Sequence, residues 1–285
     1  MKRSDFRFLD RLRVRWAEVD MQKIVFNGHY LMYFDTAVAG YWRAMAMPYH
    51  ETMHAVAGDF YVRKATVEYL GSARYDDLCE VGIRCDRIGK SSMSIVCALF
   101  RGEKVLVHGE LLYVFADPAT QTSKPVPQEL RDWFTAFEAG EPMVRVKVGH
   151  WGSLGSAARA IRRAVFTDEQ GIAAELDEDG ADAGALHALA INRLGVPLAT
   201  GRLLAQADGP PKIGRMAVIA SMRGTGVGGQ VLQSLLTAAK SRGDAAVVLN
   251  AQASAVPFYR RHGFTADGDP FEEAGIAHQA MRLGF

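Results

Sequence analysis

The chain has 285 residues, 49% of them apolar and 23% charged, and its formal net charge is +1. That is enough for two domains of ordinary size or one large one, with ample material for a core. The even charge balance gives nucleic acid or an acidic macromolecule no bulk electrostatic footing, although a small anion needs only a few local cations.

Three cysteines, Cys79, Cys85 and Cys97, form no Cys-x-x-Cys pair. Buried free thiols are expected, without a disulfide framework, a zinc site or any other metal. The opening MKRSDFRFLDRLRVRW lacks the continuous apolar run of a signal peptide. No stretch approaches the roughly 18 apolar residues of a membrane span. The expectation is a soluble, cytoplasmic protein that engages neither membrane nor nucleic acid.

Leu9 to Trp16 reads as a strand. Tyr30 to Met47 carries apolar residues at helical spacing almost all round, the mark of a buried helix. Four strand-like runs follow: FYVRKATVEYL, LCEVGIRCDRIG, SMSIVCALF and KVLVHGELLYVF. The linking segments GSARYDD, GKS and RGE are short, so an antiparallel meander wrapped on one central helix is the economical arrangement. A turn-rich tail, DPATQTSKPVPQEL, then leads through a short amphipathic stretch ending at Phe137 to Gly140 and Pro142. These residues suit a boundary, giving domains over 1–142 and 143–285.

The second half begins with a strand, Val144 to Trp151, and a helix, Ser153 to Phe166, with Ser153 as the N-cap. An acidic segment, AAELDEDGADAG, precedes strands ALHALAIN, VPLATGRLLA and KIGRMAVIAS. A glycine-dense turn then enters helix Val227 to Lys240, followed by strand AAVVLN, a short helix and a last strand, AHQAMRL. This half is mixed α/β, whereas the first is α+β.

The turn, Gly224 to Gly229, reads GTGVGG. Glycines let the backbone approach a ligand closely and aim several N–H groups at one point, where the helix N-terminus adds partial positive charge. An anion site is the natural reading. The spacing formally fits G-x-G-x-x-G, but a dinucleotide site needs an acid at the end of the next strand. Asp244 stands before that strand, which ends at Asn250, and no Gly-Lys-Ser/Thr follows as a P-loop requires.

Arg223, Gly226 and Gly228 instead match Arg/Gln-x-x-Gly-x-Gly/Ala, and SAVPFYRRHGF matches A-x-x-F-Y-x-x-x-G-F. Both resemble the GNAT N-acetyltransferase family. The stretch VFTDEQGIAAELDEDGADAGALHALAI and the ending FEEAGIAHQAMRL resemble its ElaA-like bacterial branch, so the likeness spans Val144 to Phe285. The resemblance implies that Arg223, Gly224, Gly226, Val227, Gly228 and Gly229 hold the pyrophosphate of acetyl-CoA. It also implies that the strand Arg215 to Ile219, with Met216 and Val218, meets the pantetheine arm and thioester. Asn250 either contacts pantetheine or simply ends its strand. Tyr259 takes the place of the tyrosine that protonates the departing thiolate; such a tyrosine is ordinarily core, and only the upstream turn gives it a chemical reading. The base that deprotonates the amine is open among Glu169, Glu175 and His187, each of which is ordinarily solvated or structural.

In the first half the informative stretch is RVRWAEVDMQKIVFNGHYLMYFDTA. Asp20 lies just before the helix, whose N-terminal amides face the preceding loop. A carboxylate that activates water, with amides to hold an oxyanion, suits thioester hydrolysis. On its own, an aspartate before a helix is ordinarily a cap or turn residue. The stretch resembles hotdog-fold acyl-CoA thioesterases of the 4-hydroxybenzoyl-CoA type, which read D-x-x-G-x-V-aromatic-x-x-x-Y; the likeness spans about Phe8 to Phe137. It implies Asp20 as the catalytic carboxylate, Asn27 as the backbone oxyanion donor and Tyr30 as the tyrosine opening the helix. Lys23 departs from the pattern, standing where glycine is common. His29 sits near Asp20 as a tuning group or a packed residue. Arg63, Lys64 and Lys90 are ordinary exposed cations or phosphate contacts. Glu68, Tyr33, Phe34, Tyr41 and Trp42 read as structure or pocket lining.

The two resemblances together imply a fused CoA enzyme with acyl-CoA and acetyl-CoA as substrates, an amine acceptor and no covalently bound cofactor. Hotdog sites generally form between subunits, so a homodimer or homotetramer is implied. Two alternatives stay open at this level. Either the hotdog half is a silent dimerisation or acyl-CoA-sensing module beside an active acetyltransferase, or the chain binds acyl-CoA as a regulator without turnover.

Overall fold

A computed structural model describes residues 1–273 and 275–285. The chain forms two compact units, Met1–Met143 and Val144–Phe285.

The first unit contains β1 (Phe8–Arg13), α1 (His29–Ala44), α2 (Tyr49–Ala55), β2 (Asp59–Tyr69), β3 (Leu78–Ile88), β4 (Ser92–Arg101), β5 (Lys104–Ala116) and α3 (Gln128–Glu138). Its sheet is antiparallel in the order β1-β3-β4-β5-β2. Only β3, β4 and β5 form the expected meander. The segment GSARYDD is a crossover from the β2 edge to β3, and no hairpin. It is tied down by bonds from Val25 N to Ala73 O and from Ala73 N to the Tyr30 hydroxyl.

Helix α1 lies across this sheet. A Cβ built on Gly40 would sit 2.9 Å from Phe8 Cζ of β1, and one on Gly109 of β5 would sit 3.2 Å from Phe34 Cε2. Glycine at these crossings lets helix and sheet approach closely. Met93, Ile95, Cys97 and Leu99 alternate along β4 and are fully buried. Helix α3 closes the far end, where Trp133 Nε1 donates to Met45 O and Phe134 packs on Trp42. Two boundaries differ from the sequence reading. Strand β1 stops at Arg13 because Trp16–Glu18 winds into a 3₁₀ turn, and α1 stops at Ala44, ahead of Ala46 with φ +57°.

The second unit contains β6 (Val144–His150), α4 (Trp151–Arg162), α5 (Ala174–Asp177), β7 (Leu186–Asn192), β8 (Pro197–Leu204), β9 (Lys212–Val218), α6 (Val227–Arg242), β10 (Ala246–Gln252), α7 (Val256–Arg261), β11 (Thr265–Ala266), β12 (Phe271–Glu273) and β13 (Ile276–Gly284). The sheet order is β11-β13-β10-β9-β8-β7-β6, with β12 paired to β13. The pair β9–β10 is parallel.

Strand alternation divides the core. Leu189, Ile191 and Ala217 pack with Leu154, Ile161 and Val165 of the α4 region. On the opposite face, a Cβ on Gly201 of β8 would meet Leu235 and Val231 of α6 at 3.0 and 3.1 Å. The two helices therefore cover opposite faces, and β8 is buried along most of its length. Ser153 is not the N-cap of α4. His150 holds that position, and the Ser153 hydroxyl donates to His150 O from inside the first turn. Beyond Arg162 the helix widens into a π-helical turn, Arg163–Glu169.

Candidate active sites

In the second unit, β9 and β10 pair only at Lys212 with Val248 and Ile213 with Leu249. Beyond those residues β9 runs on to Val218 and β10 to Gln252 without pairing to each other. Backbone N–H and C=O groups of β9 therefore face a gap. A cavity of about 390 Å³ lies there, lined by Gly214, Arg215 and Met216 of β9, Asn250 and Gln252 of β10, and Tyr259 of α7. Phe166, Ile172, Leu176 and Ile276 supply apolar wall. Arg215 takes φ +53° and is held by Asp177 and Asp179 at 3.1 and 3.0 Å.

The glycine turn leads into α6. Gly224 and Gly226 have φ of +79° and +86°, backbone that L side chains rarely adopt. Gly226 is the N-cap, and no side chain caps the helix. The first N–H groups of α6 are thus available to an anion. Gly228 abuts Val218: a Cβ there would lie 3.1 Å from Val218 Cγ2. Gly229 abuts the His262 ring at 3.2 Å by the same measure, which seats α7 against the start of α6. Val227 is buried and serves as packing. Arg223 donates from Nε to Val218 O at 3.1 Å and pairs with Glu169 at 2.6 Å.

Met216, Asn250 and Tyr259 thus share one cavity. Arg223, Gly224 and Gly226 to Gly229 form the neighbouring turn, and Val218 touches that turn. Tyr259 is 7% exposed, with its ring against Phe258 and Phe264. Burial pushes its hydroxyl up to about 12.

The three residues considered as amine bases fall elsewhere. The Arg223 side chain hydrogen-bonds Glu169 and holds its carboxyl below the usual range. Glu175 is exposed on α5 and does not line the cavity. His187 is 1% exposed, with Nε2 2.9 Å from Asp182 O and its ring on Trp151; burial pushes its imidazole down. The cavity instead presents Glu273 and His278. Both stand in the ending FEEAGIAHQAMRL, whose family likeness gave neither of them a role. They reach the site because the last hairpin folds back onto β10, pairing Gln252 with His278.

In the first unit, Asp20 opens a tight turn. Its N–H donates to Ile24 O, its carbonyl accepts from Lys23 N, and its Oδ1 accepts from Gln22 N at 2.8 Å. Lys23 has φ +61°, the left-handed backbone that glycine takes at low cost. Lys23 thus takes the backbone conformation for which glycine is favoured. A bridge between Val19 and Val25 and a bond from Phe26 N to Glu18 O close the loop. Helix α1 follows with Gly28 as N-cap and no side-chain cap, which leaves its first amides for other partners.

Asn27 is exposed just ahead of α1, and its carbonyl accepts the Tyr69 hydroxyl at 3.2 Å. Tyr30 is buried and holds the crossover. His29 meets the Phe26 ring edge-on. Arg63, Lys64 and Lys90 are exposed, and Glu68 lies 3.3 Å from His108. Tyr33, Phe34, Tyr41 and Trp42 are core. Large apolar side chains are exposed in and near the Asp20 turn, among polar neighbours such as Gln22 and Lys23: Met21 is 100% exposed, and Phe26, Tyr69 and Leu70 more than half.

Among the described residues, no helix is long and apolar enough to cross a membrane. A family model described as "Acetyltransferase (GNAT) domain" matches residues 164–285, and one described as "Thioesterase superfamily" matches residues 22–108. The chain is 36% identical over 122 residues to YjcF of Bacillus subtilis, named as an N-acetyltransferase; the match covers 42% of this chain and 86% of that protein. It is 25% identical over 123 residues to YbgC of Escherichia coli, named as an acyl-CoA thioester hydrolase, covering 42% of this chain and 89% of that one. A structure from Synechocystis, titled a 1,4-dihydroxy-2-naphthoyl-CoA thioesterase, superposes with a TM-score of 0.41 at 13% identity, over 45% of this chain and 95% of that one. The chain belongs to the GNAT acetyltransferase family through its second unit and carries ahead of it a hotdog domain of the thioesterase superfamily.

Proposed function

We propose that this protein is a bifunctional CoA-dependent enzyme. Its first unit hydrolyses an acyl-CoA thioester, and its second transfers the acetyl group of acetyl-CoA to an amine. The observation that carries the transfer reading is the cavity between β9 and β10, with Tyr259 in its wall and an uncapped glycine turn at the adjoining helix start.

The turn's amides bind the pyrophosphate, with Arg223 bracing the turn against Val218. The unpaired face of β9, at Met216 and Val218, hydrogen-bonds the pantetheine arm and polarises the thioester carbonyl. Asn250 meets the arm from β10. Tyr259 holds its proton at neutral pH and offers it to the departing sulfur. Free tyrosinate is costly in that buried place, so the hydroxyl acts as a relay that regains a proton as it gives one.

In the first unit, Asp20 activates water against the thioester carbonyl, and the amides at Asn27 and the start of α1 hold the oxyanion. The left-handed backbone at Lys23 supports an active site over a silent scaffold, because it is the conformation a glycine at that position would take. The exposed apolar ring at Met21, Phe26, Tyr69 and Leu70 is the seam of a homodimer that completes this site. Both substrates belong to the CoA pool of the cytoplasm.

Free-thiol release separates the two activities. Without amine, wild type releases CoA from one or more acyl-CoAs of a short, long and aromatic panel, and Asp20→Asn lowers that rate at least about 100-fold. With acetyl-CoA and amines, Tyr259→Phe lowers transfer about 10- to 1000-fold and leaves hydrolysis unchanged. Hydrolysis by Asp20→Asn at the wild-type rate overturns the first assignment, and unchanged transfer by Tyr259→Phe overturns the second.

A further inference from the structure

The transfer chemistry needs a base, and the sequence candidates for it are tied up or remote. His278 lies on β13 in the wall of the same cavity as Tyr259. Its Nδ1 is 2.8 Å from the carbonyl oxygen of Ile276. A carbonyl oxygen only accepts, so Nδ1 carries the hydrogen and neutral His278 keeps its lone pair on Nε2. Phe271 of β12 stacks on the ring, with centroids 5.9 Å apart and planes 23° apart, and fixes its plane. The tautomer and orientation of a general base are thus both set by neighbours.

Resting on the acetyl-transfer reading, the geometry points to His278 as the general base that deprotonates the acceptor amine. An amine enters as the ammonium ion, whose nitrogen has no lone pair. Nε2 takes one proton and later gives it to solvent. The free nitrogen attacks the thioester carbon, the C–N bond forms, and the C–S bond breaks with its electron pair on sulfur. The second proton lost by nitrogen ends on the sulfur through the Tyr259 relay. The sum is an amide, free CoA thiol and one proton released.

The other charged or titratable groups on this cavity are Asp177 of α5, Lys212 and Arg215 of β9, Tyr259 of α7 and Glu273 of β12. Asp177 and Arg215 neutralise each other at 3.1 Å, and Glu273 accepts from Asn250 Nδ2 at 3.2 Å. Asp177 and Glu273 balance Lys212 and Arg215 on this wall, and Glu273 offers an ammonium acceptor one anionic contact.

The test uses the full-length protein, acetyl-CoA and a fixed set of amine probes: spermidine, tyramine, glucosamine and a lysine peptide. His278→Asn keeps an amide N–H in position for the Ile276 carbonyl and removes Nε2. It is expected to lower kcat/KM about 100- to 1000-fold at pH 7 and to change the shape of the pH–rate profile. Activity recovers toward pH 9 to 10 as free amine accumulates, while the Tm shift given by acetyl-CoA stays at the wild-type value. His278→Gln, which restores a polar group nearer Nε2 without its basicity, behaves like the Asn variant. Wild-type kcat/KM and pH profile in either variant overturn the proposal alone. Wild type that gains Tm from acetyl-CoA yet acetylates none of the probes overturns the transfer reading and this proposal with it.

Discussion

The Tyr33 hydroxyl donates to the carboxylate of Glu18 at 2.7 Å, and Glu18 is only 3% exposed. The same carboxylate accepts from Arg15 N and Arg15 Nε, each at 2.7 Å. Glu18 lies two residues before Asp20, and its own carbonyl takes Phe26 N on the far side of the turn. A buried, fully bonded acid thus anchors the loop that presents the half-buried Asp20. Burial pushes the Glu18 carboxyl up, but the bonds from Tyr33 and Arg15 outweigh it and hold the group below the usual range.

Tyr33→Phe removes one of these donors without changing the ring. The expected loss is about 1–2 kcal/mol of stability, the scale of a hydrogen bond to a buried charge. Because the folded carboxyl titrates below the unfolded one, its stabilisation is full above the unfolded glutamate value and fades as pH falls through the folded one. Acid melts of wild type should therefore fall more steeply below about pH 4.5 than those of Tyr33→Phe. Asp20-dependent hydrolysis should fall several-fold as the loop loosens. Identical acid melts and hydrolysis in both proteins would remove Glu18 as the anchor.

Lys23 provides a contrasting test. A non-glycine residue in left-handed backbone costs about 1 kcal/mol, while glycine adds a comparable entropy to the unfolded chain. Lys23→Gly should therefore be near neutral, within about 1 kcal/mol of wild type by chemical denaturation, against the clear loss expected for Tyr33→Phe, with hydrolysis within about twofold of wild type. A tenfold loss of hydrolysis would mean that the ammonium group itself serves the site.

At the other site, Gly226→Ala forces a Cβ onto backbone with φ +86°. Nothing lies within 4 Å of that Cβ, so the cost is conformational and not steric. About 1–2 kcal/mol of strain is expected. Part of it will be relieved by turning the α6 amides out of line, which weakens acetyl-CoA binding roughly tenfold by calorimetry. Unchanged affinity would move the pyrophosphate away from this turn.

How far the sequence carried these sites depended on whether the signal was local. The turn at Gly224–Gly229 and the Asp20 loop were legible because each packs its residue types into one short run. Helix α1 was legible from its all-round apolar spacing, although α2 and the sheet order were not. Placing β1 and β2 on opposite edges of β3-β4-β5 depends on a crossover whose anchors, Tyr30 and Val25, lie more than forty residues from Ala73. Ser153 had the right residue type for a cap, but His150 starts the helix because Trp151 packs against buried His187 and pulls the first turn earlier. His278 and Glu273 escaped notice for a related reason. They enter the cavity only through the return of the last hairpin, a long-range pairing that the likeness of the ending FEEAGIAHQAMRL does not reveal.

The acidic segment 173–184 entered the sequence reading through its charge, its family likeness and Glu175, none of which points to the ion-pair network it carries. Arg162, 1% exposed, donates from Nε to both Asp177 oxygens and from Nη1 to both Asp182 oxygens. Arg202 joins Asp182 to Asp179, and Arg215 joins Asp179 to Asp177. Three arginines on three elements therefore pin one loop, and that loop supplies Leu176 and Asp177 to the cavity wall. Hydrogen bonds from Arg202 hold the Asp179 carboxyl far below its usual range. Asp182 also ends low, since bonds from Arg162 and Arg202 outweigh its burial. Both folded values lie below the unfolded one, so this stabilisation is complete above about pH 4 and is lost as pH falls further. Arg162→Met keeps the volume but leaves two buried carboxylates short of a partner, and should cost about 3–5 kcal/mol. The variant's acid melt should be shallower, and amides of 173–184 should exchange with solvent faster at pH 7. Replacing Arg162, Asp177 and Asp182 together by apolar residues should recover only part of the stability: it removes the orphaned carboxylates but leaves Arg202 and Arg215 to share Asp179. If the single and triple variants are equally unstable, Arg162 holds this loop by packing on Trp151, whose ring lies 5.5 Å from its guanidinium, and not by charge.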